Sequence, residues 1–158
     1  MKLVVQRVKA ASVKVDGKTV GEIEGGLLVL VGVSHEDTAA DAVFLAKKTV
    51  NLRIFDDENG VMNCSVLDTG GSILAVSQFT LYGDCKKGNR PSYIEAAGPE
   101  KGRALYDEYV RQLRDFGLRV ETGIFQAEMD VSLVNEGPVT LILESTGQQN
   151  KKKPRQTC

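Results

Sequence analysis

The chain has no tryptophan, one histidine, three cysteines and four prolines among its 158 residues. Each scarcity removes a class of chemistry. With His35 alone, no imidazole pair can build a zinc site, and the cysteines share no metal-ligand spacing. Cys64, Cys85 and Cys158 are odd in number, which argues against a disulfide framework and for a reducing compartment. No stretch approaches the roughly 20 apolar residues that a membrane helix needs. The opening "MKLVVQRVKAASVKV" has no apolar core of signal-peptide length. A cytoplasmic protein with no membrane association is expected. "GEIEGG" lacks the lysine and hydroxyl of a phosphate cradle. "DDENG" crowds acids, but without the alternation and distant glutamate of a calcium loop. No metal and no cofactor are expected.

Nor is there a charge of one sign in excess. The formal net charge is −1, so attraction to an anionic partner has to be local. One such place is the tail, where Lys151 to Arg155 hold four cations in five residues. At 42% apolar and 26% charged residues, the composition suits one soluble domain that buries about two-thirds of its unfolded surface. Residues 1–147 are assigned to that domain and 148–158 to a basic, flexible tail.

What is present is mostly strand. "KLVVQRV" and "ASVKVDG" read as two short runs, with Asp16-Gly17 a hairpin turn before "KTVGEI". "GGLLVLVGV" (25–33) is continuous and rich in valine and leucine, as in a strand buried on both faces. A helix capped by Ser34 or Asp37 is expected to run to about Val50, with Ala39, Val43, Ala46 and Val50 on its apolar stripe. "LRIFDDENGVMNCSV" predicts strand, turn and returning strand. A second helix starts near Pro99, carries Leu105, Tyr109, Leu113 and Phe116, and stops at Gly117. "LRVETG", "MDVSLV" and "VTLILES" complete the strands. The expected fold is mixed α/β and largely antiparallel: a three-layer sandwich of β-sheets with two helices.

The candidate chemistry lies in "AVSQFTLYGD" (75–84). The apolar strand "SILAV" runs into Ser77, Gln78, Phe79 and Thr80. Alternation would put Ser77 and Phe79 on one face, Gln78 and Thr80 on the other. Such a segment is either a polar sheet edge facing water or a strand end that offers side chains and N–H groups to a ligand. A second oddity is "NEGPVTLILE" (135–144), where Gly137-Pro138 stands at the mouth of a strand although proline donates no backbone hydrogen bond.

"SQFTL" at 77–81 and "NEGPVT" at 135–140, in this order, resemble the D-aminoacyl-tRNA deacylase family. The likeness extends to "MKLVVQRVKAASVKVDG", "GLLVLVGV", "RPSY" and "AEMDVSLVNEGPVT", and so spans residues 1–146. It implies a homodimeric hydrolase that cleaves the ester between a D-amino acid, or misattached glycine, and the terminal adenosine of tRNA. It implies catalytic positions at Ser77, Gln78, Phe79 and Thr80. It also implies a cis Gly137-Pro138 peptide that enters the partner subunit's site, with Arg7 supporting it. L-amino acids would be rejected by collision with that backbone. Phe125 and Met129, with Phe79, are candidate walls for the adenosine, since bases stack on aromatic faces. Lys86, Lys87, Arg90 and the tail are candidates for tRNA phosphates. Thr80 has no evident base, so either it attacks the ester directly or the ribose 2′-hydroxyl of the substrate activates water.

Overall fold

A computed structural model describes residues 1–145; the 148–158 tail and Cys158 lie outside the described residues. The chain runs β1 (Lys2–Val15), β2 (Lys18–Ile23), β3 (Gly26–Gly32), α1 (Ala39–Asn51), β4 (Phe55–Asp56), β5 (Met62–Cys64), α2 (Val66–Thr69), β6 (Ser72–Ser77), a 3₁₀ helix (Phe79–Tyr82), α3 (Pro99–Asp115), β7 (Val120–Thr122) and β8 (Asp130–Glu144). This is a mixed α/β fold, and its main sheet is more mixed than expected. The hairpin β1–β2 and the β1–β3 and β1–β8 pairs are antiparallel, whereas β3–β6 and β6–β7 are parallel. The β1–β2 turn has Asp16 and Gly17 at φ 50° and 76°, the positive pair that a two-residue hairpin turn of matching twist requires.

The two runs expected at the start form one 14-residue strand. One edge of β1 pairs with β8 along nearly its whole length; the other edge is shared, residues 2–8 going to β3 and 11–15 to β2. "MDVSLV" and "VTLILES" are likewise one strand, β8, interrupted between Asn135 and Thr140. Across this break Gln6 pairs with Thr140 and Val8 with Asn135. Two residue steps on β1 therefore face five on β8, and the surplus backbone at Glu136–Val139 bulges out of the ladder.

α1 and α3 lie on one face of the sheet over Leu3, Val5, Leu27, Val29 and Ile73. A second cluster, around Val8, Val13, Ile23, Leu28, Leu74 and Val76, fills the opposite face. Two expectations about α1 are corrected. Its N-cap is Thr38, whose N–H donates to the Asp41 carboxylate at 2.8 Å. Asp37 is occupied elsewhere, accepting from the Met1 ammonium and from the Ser34 N–H. The buried stripe is Ala42, Leu45, Ala46, Thr49 and Val50, while Val43 faces outward. Thr49 sits in the core because its hydroxyl bonds the Leu45 carbonyl at 2.7 Å and the Tyr109 hydroxyl at 3.0 Å, tying α1 to α3. A third, short helix, α2, was not expected. It is capped by Ser65, which accepts from the Asp68 N–H, and closed by Gly70 in the left-handed region.

Close backbone approach sets the spacing of the central strands. A Cβ on Gly26 would lie 1.8 Å from the Ser72 carbonyl oxygen, whereas one on Gly25 would meet nothing within 4 Å. Gly26→Ala should therefore lower stability by about 3 kcal/mol or more, and Gly25→Ala by about 0.5 kcal/mol or less. Urea unfolding of the two variants side by side checks this. Equal midpoints would mean that β3 and β6 do not approach as closely as described.

Candidate active site

β3 and β6 run parallel and end at the same level, Val31 pairing with Ser77. Beyond their carboxyl ends lies a cavity of about 580 Å³, within the range that accommodates a drug-sized ligand. This is where parallel strands usually leave room for a ligand, because the chain must turn away from the sheet. The Gln78 N–H still bonds the Val31 carbonyl at 2.7 Å. The chain then leaves strand geometry and coils into the 3₁₀ helix, with Gln78 at φ −147°, ψ 82°.

The alternation expected for residues 77–80 therefore stops at Ser77. Gly32 permits the coil: a Cβ there would lie 3.0 Å from the Leu81 Cβ and 3.2 Å from the Gln78 carbonyl oxygen. Ser77, Gln78 and Phe79 line the cavity. Thr80 is exposed and does not line it; its hydroxyl accepts a hydrogen bond from the Gln78 side-chain amide. At the start of a 3₁₀ helix the first N–H groups, here those of Phe79 and Thr80, have no acceptor one turn earlier within the helix.

The apolar walls come from three other places. Phe125 and Met129, named from the sequence, both line the cavity. Tyr93 packs edge-on against Phe79 with ring centroids 5.2 Å apart. Tyr106 donates to the Ala75 carbonyl at 2.7 Å, and burial pushes its phenol well above the usual range. Sequence reasoning did not single out Tyr106, Gln126, Ala97, Pro99 or Gly102. Gly102 offers no signal: a Cβ there would make only ordinary contact with the Phe125 ring, at 3.6 Å, so nothing in the packing requires glycine.

The chemistry of the lining is unusual for what it contains. Among the described residues, the lining includes the phenols of Tyr93 and Tyr106 but no carboxylate, imidazole, amine or thiol. His35 is at a turn elsewhere, its carbonyl accepting from Lys101. Among the described residues no three metal-capable side chains converge.

Gly137 and Pro138 lie apart from this cavity in their own chain. The peptide between them is cis, and both are exposed on the bulge of β8. Arg7, placed opposite the bulge, is buried; its Nε donates to the Glu136 carbonyl at 3.0 Å and its Nη1 to the Ile54 carbonyl at 2.8 Å. Asp56 adds an ion pair at 3.7 Å.

Comparison with known proteins supplies the relation. The family model described as D-Tyr-tRNA(Tyr) deacylase matches residues 4–144. A D-aminoacyl-tRNA deacylase of Thermosipho africanus (strain TCF52B) is 61% identical over 145 residues, which is 92% of this chain and 97% of that one. One of Bacillus velezensis (strain DSM 23117 / BGSC 10A6 / LMG 26770 / FZB42) is 60% identical over the same length, covering 92% and 99%. Among solved structures, the c-Myc DNA Unwinding Element Binding Protein is 43% identical with a TM-score of 0.86 over 92% of this chain and 99% of that one. A probable eukaryotic D-amino acid tRNA deacylase, 18% identical, shares the fold at a TM-score of 0.78 over 90% and 97%. Since the matched region takes in both the polar strand end and the Gly137-Pro138 bulge, the chain belongs to the D-aminoacyl-tRNA deacylase family.

Proposed function

We propose that the protein hydrolyses the ester joining a D-amino acid, or misattached glycine, to the 3′-terminal adenosine of tRNA, in the cytoplasm and as a homodimer. The observation that carries this is the division of the site. The cavity and the polar strand end lie together, whereas Gly137-Pro138 projects from β8 and lines no part of its own chain's cavity. A second copy brings the two together. β8 is an edge strand, and Leu133, Val134 and Ile142 on it are exposed, Ile142 at 67%. Unpaired, apolar edges of this length are normally covered. Joining two copies along this edge would also give the three-layer arrangement expected from the sequence.

In this reading adenosine packs between Phe125, Met129 and Phe79, and the ester carbonyl reaches the N–H groups of Phe79 and Thr80. These would stabilise the tetrahedral oxyanion; such a donor is typically worth about 3 kcal/mol. The partner's Gly-Pro backbone faces the substrate's α-carbon. A D-residue turns its side chain away, an L-residue drives its Cβ into main chain held by Arg7, and glycine presents no Cβ to exclude. Selectivity comes from exclusion rather than attraction.

Among the described residues no carboxylate, imidazole or amine lines the cavity to serve as a base. Thr80 is bonded to an amide, which cannot take its proton, so direct attack by Thr80 is disfavoured. The substrate's own 2′-hydroxyl is then the group that activates water, while the protein positions the ester and shields it.

The likeness to a protein named for DNA binding favours one other reading: a non-catalytic nucleic-acid module that relies on the basic tail. It predicts binding that survives substitution of Gly137 and is lost when the tail is removed.

Three outcomes are expected. With one amino acid in D and L form on the same tRNA, the D form is cleaved at least about a hundredfold faster, a difference of about 2.7 kcal/mol in transition-state energy; equal rates sink the proposal. A tRNA ending in 2′-deoxyadenosine reacts poorly, and Thr80→Ala retains part of the turnover; a covalent adduct on Thr80 would establish the nucleophile route instead. Because the described lining holds no carboxylate, imidazole or amine, and burial moves the Tyr106 phenol further above its ordinary range, kcat/KM should have no inflection from a lining group between about pH 6 and 8. A bell-shaped profile in that window would expose a base that this account omits.

A further inference from the structure

On the far side of Phe125 lies a second depression of about 420 Å³, lined on α3 by Arg103, Asp107, Arg111 and Arg114. It shares Tyr106 and Phe125 with the cavity described above. Phe125 is thus a partition. Its ring is tilted 32° to Tyr106 at a centroid distance of 6.1 Å, and the Arg103 guanidinium lies 5.8 Å from its centroid. The turn that presents the ring is tight, with the Ala127 N–H on the Ile124 carbonyl and Gln126 at φ 65°.

The three guanidiniums are not equivalent. Arg111 is bonded to Glu108 at 2.6 Å and to Asp115 at 3.2 Å, so its charge is answered on α3 itself. Arg114 gives one N–H to the Val120 carbonyl at 2.9 Å, a neutral acceptor that fixes the side chain and leaves the charge. Arg103 meets Asp107 only at 3.9 Å, with both side chains about two-thirds exposed; an exposed pair of that length contributes little. Arg103 and Arg114 therefore face the groove against one carboxylate. This is a local positive site beside the adenosine cavity, in a chain whose net charge is −1.

We infer that this groove takes the phosphates of the nucleotides preceding the terminal adenosine, with Arg103 and Arg114 gripping the backbone while Phe125 divides it from the base. The inference rests on the tRNA reading above and names the contact that extends it. Guanidinium forks match phosphate oxygens in shape as well as charge. Single-stranded nucleic acids are characteristically held by a basic track with aromatic platforms along it. The shared wall favours this occupant: a polyanion whose terminal adenosine sits in the cavity can continue over Phe125 into the groove.

The test compares full-length D-aminoacyl-tRNA with D-aminoacyl-adenosine, which has no phosphates, over a series of salt concentrations. For the double variant Arg103→Gln/Arg114→Gln, kcat/KM on the tRNA substrate should fall about tenfold. Its log–log salt slope should shrink by about 1.4, at about 0.7 per phosphate contact on a single strand. The loss on D-aminoacyl-adenosine should be a small fraction of this, and Arg111→Gln should leave the salt slope unchanged. An unaltered slope in the double variant, or an equal loss on both substrates, overturns the proposal. So does a slope carried instead by Lys86, Lys87 and Arg90 when those three are replaced by glutamine. If the wild-type protein cleaves neither substrate, it is the deacylase reading that fails. Direct binding of a three-nucleotide RNA ending in adenosine, compared with adenosine alone, still decides the groove: tighter binding of the trinucleotide must disappear in the double variant.

Discussion

The buried fork of Arg7 is the contact on which the rest of the arrangement depends. One guanidinium spans two segments, taking the Glu136 carbonyl on the β8 bulge and the Ile54 carbonyl just before β4. Hydrogen bonds from a charged donor contribute about 1.5 to 3 kcal/mol each, enough to hold surplus backbone that the β1–β8 ladder cannot. A lysine could not imitate it, since an ammonium has no rigid fork with which to reach two carbonyls in fixed directions. That anchor holds one end of the bulge, and the buried Val139 side chain holds the other. A collision can reject a ligand only if the obstacle does not yield.

How far the sequence disclosed the fold depended on whether the deciding force was local. The Asp16-Gly17 hairpin is legible because positive φ is a demand on single residues, and so is most of α3, with Pro99 at its first turn and Leu105, Tyr109 and Leu113 buried. Phe116, expected on the same stripe, is instead the exposed C-cap residue, because the helix has ended at Asp115. The phase of α1 is not legible. Thr49 looks polar and was left off the stripe, yet it is wholly buried because Tyr109, sixty residues away, completes its hydrogen bonding. The continuity of β1 and β8 was equally hidden. Each strand supports the other on both sides of the bulge, so neither can be seen whole from its own residues.

The candidate site divides along the same line. Ser77, Gln78, Phe79, Phe125 and Met129 were named from the sequence and converge on one cavity. The geometry joining them was missed because alternation was carried past Ser77, where the strand has already ended. Gly32, on a neighbouring strand, admits the 3₁₀ helix at close range, and no pattern within "SQFTLY" records that. Tyr106 escaped notice for a related reason. It looks like another member of the α3 core stripe, and only its hydrogen bond to Ala75 and its place in the lining set it apart.

A cavity lined, among the described residues, by no carboxylate, imidazole or amine constrains how any ester chemistry there can be controlled. A general base near neutrality would accelerate hydrolysis of whatever ester entered, and selectivity would then have to come from binding alone. With the base withheld, the protein would contribute position and oriented N–H groups, both of which act only on a substrate seated at full depth. Full depth is what a rigid obstacle at the mouth would deny to an L-residue. An Arg103–Arg114 grip would complement this from the other side of Phe125 by adding affinity for every tRNA alike. Such affinity could not discriminate between mirror-image amino acids, but it would lengthen the time available for a steric test. Attraction that ignores handedness and exclusion that depends on it would therefore act on different parts of one substrate, the phosphates and the α-carbon, without weakening each other.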